Sequence, residues 1–257
     1  MPPLRQTLRD TVKTLARKCG VEVSRSEFEV SRLSDTPLGQ DVWLDIGRLS
    51  ERWGFPINCV FDVSANIGQT SLTVLAHFPN ADVYSFEPHP DTFDRLAVAL
   101  RGRRAQAFNI ALSDKSGRAE LFTYEMDLIN SLTPTATYAV RFGETAKSSI
   151  SVQVSTVDEF CSSHGIGTID VLKVDTEGCD LDVLKGAVEK FKSREVKFVY
   201  TEFNDILERA GRTGGALVPI SAFLDPFGFR FVTSYTDYVV ADGEFFSVHN
   251  ALFVASN

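Results

Sequence analysis

The sequence lacks the features of a membrane-spanning or disulfide-bonded protein. No apolar run approaches the roughly 20 residues that a transmembrane helix needs. The N-terminal residues carry charges every few positions and have no apolar core of the kind that a secretion signal requires. The four cysteines stand far apart, at positions 19, 59, 161 and 179. This spacing favours reduced thiols over a disulfide framework or a zinc site, so we expect a cytoplasmic protein without a membrane span.

Positive charge is also scarce, since 26 lysines and arginines face 34 aspartates and glutamates, and the net charge is −8. This charge suits neither nucleic acid nor anionic membranes, so we expect no nucleic-acid partner. The first 25 residues differ, with six basic residues and two acidic ones. There, Leu4, Leu8, Val12 and Leu15 recur at helical spacing. The predicted helix either packs on the main domain or on a second subunit, forming a homo-oligomer, or presents a basic surface to an acidic acceptor or lipid headgroup.

Strand-like and helix-like segments alternate from residue 57 onward. Short apolar runs that each end in a polar loop predict five parallel strands, at 60–63, 82–87, 106–111, 169–174 and 196–200. Helical patterns separate most of these runs, which is typical of βαβ units around a parallel sheet. Two more strands, at 229–234 and 252–255, are predicted to close the sheet, with Asp242-Gly243 as a turn signal. We therefore predict a doubly wound, mostly parallel Rossmann-like α/β fold with an antiparallel closing strand.

The rest of the chain is interpreted from weaker patterns. Residues 1–56, which include a helical pattern at 41–53, are interpreted as an N-terminal helical extension, and residues 57–257 as the main domain. The polar segment near 124–150 is interpreted as a lid between two hairpin strands. Within it, Asn130-Ser131-Leu132 either contacts an acceptor or faces solvent.

Polar clusters follow the predicted parallel strands at their carboxyl ends, where open α/β sheets bind their ligands. In strand order they are Asp62–Gly68, Glu87–His89, Asn109–Asp114, Asp175–Gly178 and Glu202. The glycine fingerprint GxGxxG, whose bare N–H groups hold a pyrophosphate, is absent from the first loop. The acidic loops suit a cationic, phosphate-free ligand instead, and S-adenosylmethionine is such a ligand.

The chemistry of S-adenosylmethionine assigns roles to these loops. Small residues at Ser64, Ala65 and Gly68 let backbone N–H groups approach its carboxylate at a helix N-terminus. Asp62 and Asp175 supply negative charge near its ammonium and sulfonium groups. The expected adenosine contacts are Glu87 at the ribose hydroxyls, Pro88 or His89 against the adenine ring, and Ala111 or Asp114 at its amino edge.

Four motifs carry a resemblance to a known family. FDVSANIGQT, SFEPHPDTF, NIALSD and KVDTEGCDLDVLKGA resemble the FkbM family of S-adenosylmethionine-dependent methyltransferases, and the resemblance covers roughly residues 57–203. The resemblance implies a class I fold and methylation of hydroxyls on sugars, polyketide-type products or related glycans. It also implies that cofactor contacts lie at Asp62, Asn66, Gly68 and Glu87, and that Asp175 and Glu177 face the active site.

Two positions depart from the family pattern. Ser64 stands where the family usually has glycine, so its side chain either crowds the cofactor or adds a hydroxyl hydrogen bond. Asp180 stands where the family usually has glutamate, which is a longer acid.

Methyl transfer to a hydroxyl also requires a group that removes a proton. We assign this role to candidates near the strand ends: Asp175, Glu177, Glu202 and His249. Each has an alternative structural role, such as pairing with the cofactor ammonium, complementing a helix dipole or packing. Asp175, Glu177 and Glu202 are also compatible with an oxygen-rich Mg²⁺ site, but no spacing signature supports it, so no metal ligand is assigned.

The sequence thus predicts an S-adenosylmethionine-dependent methyltransferase, with S-adenosylhomocysteine as its product. The expected acceptor is a hydroxyl of a sugar, glycan or natural-product-like small molecule. The alternatives are a non-catalytic scaffold that binds S-adenosylmethionine, and a methyltransferase that acts on a nitrogen or on a macromolecule.

Overall fold

The computed structural model describes residues 21–23, 30–32, 36–125, 129–134, 144–203, 216–241 and 245–256. Contacts divide the chain into two compact units, Met1–Val42 and Trp43–Asn257. In the first unit, β1 (Val21–Val23) pairs antiparallel with β2 (Val30–Arg32). The sequence does not predict this ladder, because three-residue strands are too short for alternation to stand out. The helix predicted at the N-terminus, and the homo-oligomer contact assigned to it, lie outside the described residues.

The described helices mostly separate the strands along the chain. Their bounds are α1 (Val42–Trp53), α2 (Gln69–His77), α3 (Pro90–Ala99), α4 (Val157–His164), α5 (Asp180–Lys185), α6 (Val188–Lys192) and α7 (Leu217–Leu224). Thr156 caps α4 by accepting a hydrogen bond from the backbone N–H of Glu159 at 3.0 Å. None of these helices has the length and apolar character needed to cross a membrane.

Helix α1 packs on the strands of the second unit through residues from Trp43 onward. The Trp43 ring meets the Tyr200 ring edge-on, with 5.9 Å between the centroids. The Tyr235 hydroxyl donates a hydrogen bond to the buried Asp45 carboxylate at 2.8 Å. This helix therefore contributes to the core, while the domain division at residue 56 stays a prediction.

A seven-stranded sheet forms the centre of the second unit. Its strands are β3 (Cys59–Val63), β4 (Asp82–Phe86), β5 (Ala105–Phe108), β9 (Ile169–Val174), β10 (Val196–Phe203), β11 (Phe229–Ala241) and β12 (Phe245–Ala255). The order across the sheet is β11-β12-β10-β9-β3-β4-β5. Five strands of this sheet are parallel, namely β3, β4, β5, β9 and β10. β12 pairs antiparallel with β10, and β11 pairs antiparallel with β12. This confirms the predicted Rossmann-like sheet with antiparallel closure.

The strand order reverses between β3 and β9. From β3 the chain moves outward through β4 and β5, and it then returns to the other side of β3 with β9 and β10. In open parallel sheets, ligands bind at the carboxyl ends of the strands beside such a reversal. The loops after Val63 and Val174 therefore lie where the fold places a ligand.

A smaller sheet follows β5 and contains the predicted hairpin. It consists of β6 (Ala111–Leu112), β7 (Gly117–Thr123) and β8 (Ser148–Ser155), in the order β6-β8-β7. The strand predicted at 106–111 is too long, because the structure ends β5 at Phe108 and begins β6 at Ala111. The Asn109 side chain donates hydrogen bonds to the carbonyls of Glu87 and Pro88 at 2.9 and 3.0 Å, and these bonds stabilise the turn between the two sheets.

Aromatic side chains fill the space between the large sheet and α4. Phe160 presents its ring edge-on to Phe61, Phe86 and Phe108 on three adjacent strands, with centroid distances of 5.7, 4.8 and 4.8 Å. Each such pair adds about 0.5–1.5 kcal/mol beyond area burial. This packing supports the strands whose ends form the candidate site.

Candidate active site

The loop after β3 turns tightly through left-handed backbone conformations. Ser64 has a φ of 62° and Asn66 a φ of 48°, which is unfavourable for residues with a Cβ, and Gly68 has a φ of 94°. The Ala65 N–H donates to the Phe86 carbonyl at 2.9 Å, which fixes the loop to β4. The left-handed backbone at Ser64 explains why the resemblance leads us to expect glycine there.

Glu87 joins the loops after β3 and β4. Its carboxylate is 5% exposed and accepts hydrogen bonds from the Asn66 N–H at 3.0 Å and the His89 N–H at 2.9 Å. Burial raises the pKa of Glu87 to about 7 despite these two bonds. Each carboxylate oxygen has a second lone pair, so Glu87 retains acceptor capacity for a ligand hydroxyl.

A pocket with about 360 Å³ of empty space, part of it open to solvent, lies between these loops and the smaller sheet. Its lining includes Ser64, Pro88 and Ala111 from the predicted cofactor set. The other lining residues are Val63, Phe86, Ile110, Leu112, Leu121, Asn130, Ser131, Leu132, Thr176 and Cys179. Asn130, Ser131 and Leu132 thus face the pocket.

Several predicted site residues are absent from the pocket lining, and two of them, Asp114 and His249, contact side chains elsewhere. Asp114 is not part of the lining, and its carboxylate contacts the exposed Lys115 ammonium at 3.7 Å. His249 stacks on Phe203 with 5.3 Å between the ring centroids, and its Nδ1 lies 3.2 Å from the Thr236 hydroxyl. The roles assigned to Asp114 and His249 stay predictions that this geometry does not favour.

Asp62 is fully buried beneath the first loop and already has partners within the protein. The Ser71 hydroxyl donates to its Oδ2 at 2.6 Å, and the Lys173 ammonium lies 3.1 Å from its Oδ1. Lys173 also donates to the carbonyls of Val63 and Ser64, each at 3.4 Å. Asp62 therefore supports the loop after β3 from below. Its contact with a cofactor ammonium stays a prediction.

Lys173 is not among the predicted site residues, although the sequence contains a signal for it. A lysine inside the apolar strand Ile169–Val174 is 4% exposed, and lysines are almost never fully buried unless they are paired. The nearby carboxylates raise the pKa of Lys173 more than burial lowers it, so it stays a cation.

Three predicted residues do converge at the ends of β9 and β10. Asp175, Glu177 and Glu202 each contribute one carboxylate oxygen, and these three oxygens lie within 4.8 Å of one another. Glu177 and Glu202 are buried, whereas Asp175 is half-buried. We call these three residues the acid cluster.

Burial and mutual repulsion favour the protonated forms of Glu177 and Glu202. Burial, followed by the negative charges of neighbouring acids, raises the pKa of Glu177 and of Glu202 well above the usual value. A hydrogen bond between the carboxyl groups of Glu202 and Asp175 raises the pKa of Glu202 further. Burial raises the pKa of Asp180 to about 7, although its carboxylate accepts hydrogen bonds from the N–H groups of Thr176 and Gly178.

The segment 129–134 contacts the loop that carries the acid cluster. The Ser131 hydroxyl lies 3.2 Å from the carbonyl oxygens of both Thr176 and Glu177, to which it can donate. Ser131 also forms an antiparallel bridge with Phe122 of β7. This segment therefore connects the smaller sheet to the loop after β9, which carries Asp175 and Glu177 and which we call the acid cluster loop.

Rossmann-like methyltransferases have a doubly wound parallel sheet. The loop at the point where the strand order reverses is acidic and lacks the GxGxxG fingerprint, as it does here. The FkbM methyltransferase domain matches residues 62–231, and the chain belongs to this family. The match confirms the resemblance found in the four motifs. Membership implies S-adenosylmethionine as the cofactor.

Matches to three curated relatives cover between 56% and 69% of the chain. The 2-O-methyltransferase NoeI of Sinorhizobium fredii is 28% identical over 187 residues, which are 66% of this chain and 71% of the relative. The 31-O-demethyl-FK506 methyltransferase FkbM of Streptomyces tacrolimicus is 30% identical, covering 69% and 74%. The hexuronic acid methyltransferase AglP of Haloferax volcanii is 32% identical, covering 56% and 55%.

Proposed function

We propose that this protein is an S-adenosylmethionine-dependent O-methyltransferase whose acceptor is a hydroxyl of a sugar, glycan or natural-product-like small molecule. The observation that carries the proposal is the convergence of the acid cluster at the carboxyl ends of β9 and β10. Two of the relatives have names that specify an oxygen position, and a third is named for hexuronic acid. These names support an oxygen acceptor.

The pocket residues fit the cofactor. Pro88, Ile110 and Leu112 offer apolar surface to a flat ring, and Glu87, which stands between the lining residues Phe86 and Pro88 in the sequence, offers carboxylate lone pairs to ribose hydroxyls. The left-handed turn at Ser64 lies before α2, and N–H groups at a helix start favour a carboxylate. When bound, S-adenosylmethionine supplies a methyl group on a positively charged sulfur.

The acid cluster supplies the base. During transfer of the methyl group that S-adenosylmethionine would supply, the acceptor hydroxyl would lose its proton to a carboxylate oxygen of Asp175, Glu177 or Glu202. A raised pKa makes the ionised form of Glu177 or Glu202 a stronger base, so it is the ionised fraction of either group that accepts this proton readily. The other two acids hold the acceptor hydroxyl in place through hydrogen bonds.

Cofactor binding is tested by calorimetry with S-adenosylhomocysteine on the wild type and on Glu87→Ala. We expect micromolar binding by the wild type and at least about tenfold weaker binding by the variant, since a hydrogen bond to a charged group contributes about 1.5–3 kcal/mol. The matched control is Glu120→Gln, because Glu120 lies exposed on β7. Absence of binding by the wild type would instead indicate that the protein does not bind this cofactor without its acceptor.

Acceptor chemistry is tested with methyl-labelled S-adenosylmethionine and a panel of monosaccharides, hexuronic acids and matched amino sugars. We expect label on hydroxyl groups, and loss of turnover in Asp175→Asn while S-adenosylhomocysteine still binds. Label found only on amino groups would overturn the O-methyltransferase proposal. Unchanged turnover in Asp175→Asn would remove this residue from the mechanism.

A further inference from the structure

The acid cluster has the composition and spacing of a binding site for a hard cation. Asp175, Glu177 and Glu202 offer oxygen atoms that lie within 4.8 Å of one another. An ion that binds oxygen at about 2.0–2.6 Å has ligands on opposite sides that are about 4–5 Å apart. One ion can therefore contact all three carboxylates with small side-chain adjustments.

A second observation points to a missing ligand at this place. Glu177 is only 7% exposed, and its Oε2 has no hydrogen-bond partner among the described residues. Buried polar atoms are nearly always hydrogen-bonded, and an exception requires a specific explanation. The same carboxyl group contributes an oxygen to the acid cluster, so the side chain is directed into it. A bound cation would satisfy this oxygen.

We propose that Asp175, Glu177 and Glu202 bind a divalent hard cation of the Mg²⁺, Mn²⁺ or Ca²⁺ class. Carboxylate oxygens are the ligands that these ions prefer. The role of the ion rests on the proposed function: a cation here lowers the pKa of an acceptor hydroxyl, which then needs only a weak base. Its binding does not depend on that function.

The test uses Mn²⁺ alone, without cofactor or acceptor, and measures free Mn²⁺ by electron paramagnetic resonance. We expect the wild type to bind one Mn²⁺ with a dissociation constant of about 1 mM or below, and Glu177→Gln to bind at least about tenfold more weakly. The matched control is Glu189→Gln, because Glu189 is exposed on α6 and its carboxylate contacts Lys192 alone among the described residues. This control should bind like the wild type.

Two further measurements keep the result interpretable. Glu202→Gln provides a second cluster variant, and circular dichroism establishes that each variant is folded. Failure of the wild type to bind Mn²⁺ at about 10 mM, well above the range of protein calcium sites, would overturn the proposal. Equal affinity in the wild type and in both folded variants would also overturn it. Binding of S-adenosylhomocysteine is measured separately, so loss of the proposed function and loss of the cation site give different results.

Discussion

The ammonium of Lys173 lies 3.1 Å from Asp62 and 3.6 Å from Asp175, and so connects the ends of β3 and β9. These are the two strands between which the sheet order reverses. One buried cation thereby links the loop expected to hold the cofactor with the loop that carries the acid cluster.

Replacing Lys173 with methionine should strongly destabilise the protein. The change leaves the fully buried Asp62 without its cation, and breaking a buried ion pair from one side costs about 3–5 kcal/mol. Urea unfolding measures the loss. The double variant Lys173→Met/Asp62→Asn should recover part of it, and Lys192→Met, on the exposed surface, should have little effect. A loss of stability below about 1 kcal/mol in Lys173→Met would contradict this prediction.

Replacing Gly186 with alanine should also destabilise the fold. A Cβ at this position would lie 2.1 Å from the carbonyl oxygen of Ser113, so the backbone after β6 would have to move. Overpacking of this kind costs about 1–3 kcal/mol. Gly167→Ala is the matched control, because a Cβ there meets nothing within 4 Å. Equal melting temperatures for the two variants would show that the chain adjusts at Gly186 without cost.

Replacing Ser64 with glycine should stabilise the first loop. The φ of 62° costs an L-residue roughly 1–2 kcal/mol, and glycine avoids this cost but loses more backbone entropy on folding. We therefore expect a net gain of about 1 kcal/mol or less. Ser64→Ala keeps the Cβ and removes the hydroxyl, so it should not gain. If Ser64→Gly is less stable than the wild type, the serine hydroxyl must supply a contact that outweighs the strain. Calorimetry on the same variants shows whether that hydroxyl also aids binding of S-adenosylhomocysteine.

The buried carboxyl groups should make stability fall as the pH rises from 5 to about 7. Glu87 and Asp180 have pKa values raised by burial from 4.5 and 3.8 to about 7, so between these values the folded state holds more protons than the unfolded chain. Each group then lowers the unfolding free energy by up to about 1.4 kcal/mol per pH unit. Urea unfolding at several pH values measures the slope, which should be shallower in Glu87→Gln. Parallel curves for the wild type and this variant would show that Glu87 ionises normally.

Much of the fold could be predicted from local sequence. Apolar runs followed by polar loops revealed all five parallel strands and placed Asp175 and Glu202 at strand ends. Parallel strands align their carboxyl ends at one edge, so these acids were expected to lie near each other. The break between Phe108 and Ala111 was missed, because it depends on bonds from Asn109 to carbonyls 21 and 22 residues away along the chain.

The site itself was only partly predictable. The contact of Ser131 with the carbonyls of Thr176 and Glu177 joins segments 45 and 46 residues apart, and no local pattern reports it. His249 was chosen because it lies near a strand end, but neighbouring residues on a strand point to opposite faces. Its ring therefore stacks on Phe203. The side chain of Lys173 was overlooked because its two carboxylate partners come from different strands.

The hydroxyl of Ser131 contacts backbone carbonyls of the acid cluster loop and not its carboxylates. Carbonyl groups are present whatever side chains the loop carries, so this contact tolerates sequence change in the loop but requires a hydroxyl at position 131. The loop can therefore change its side chains without losing its connection to the smaller sheet. That connection is thus independent of the carboxylates to which the proposed function assigns the chemistry.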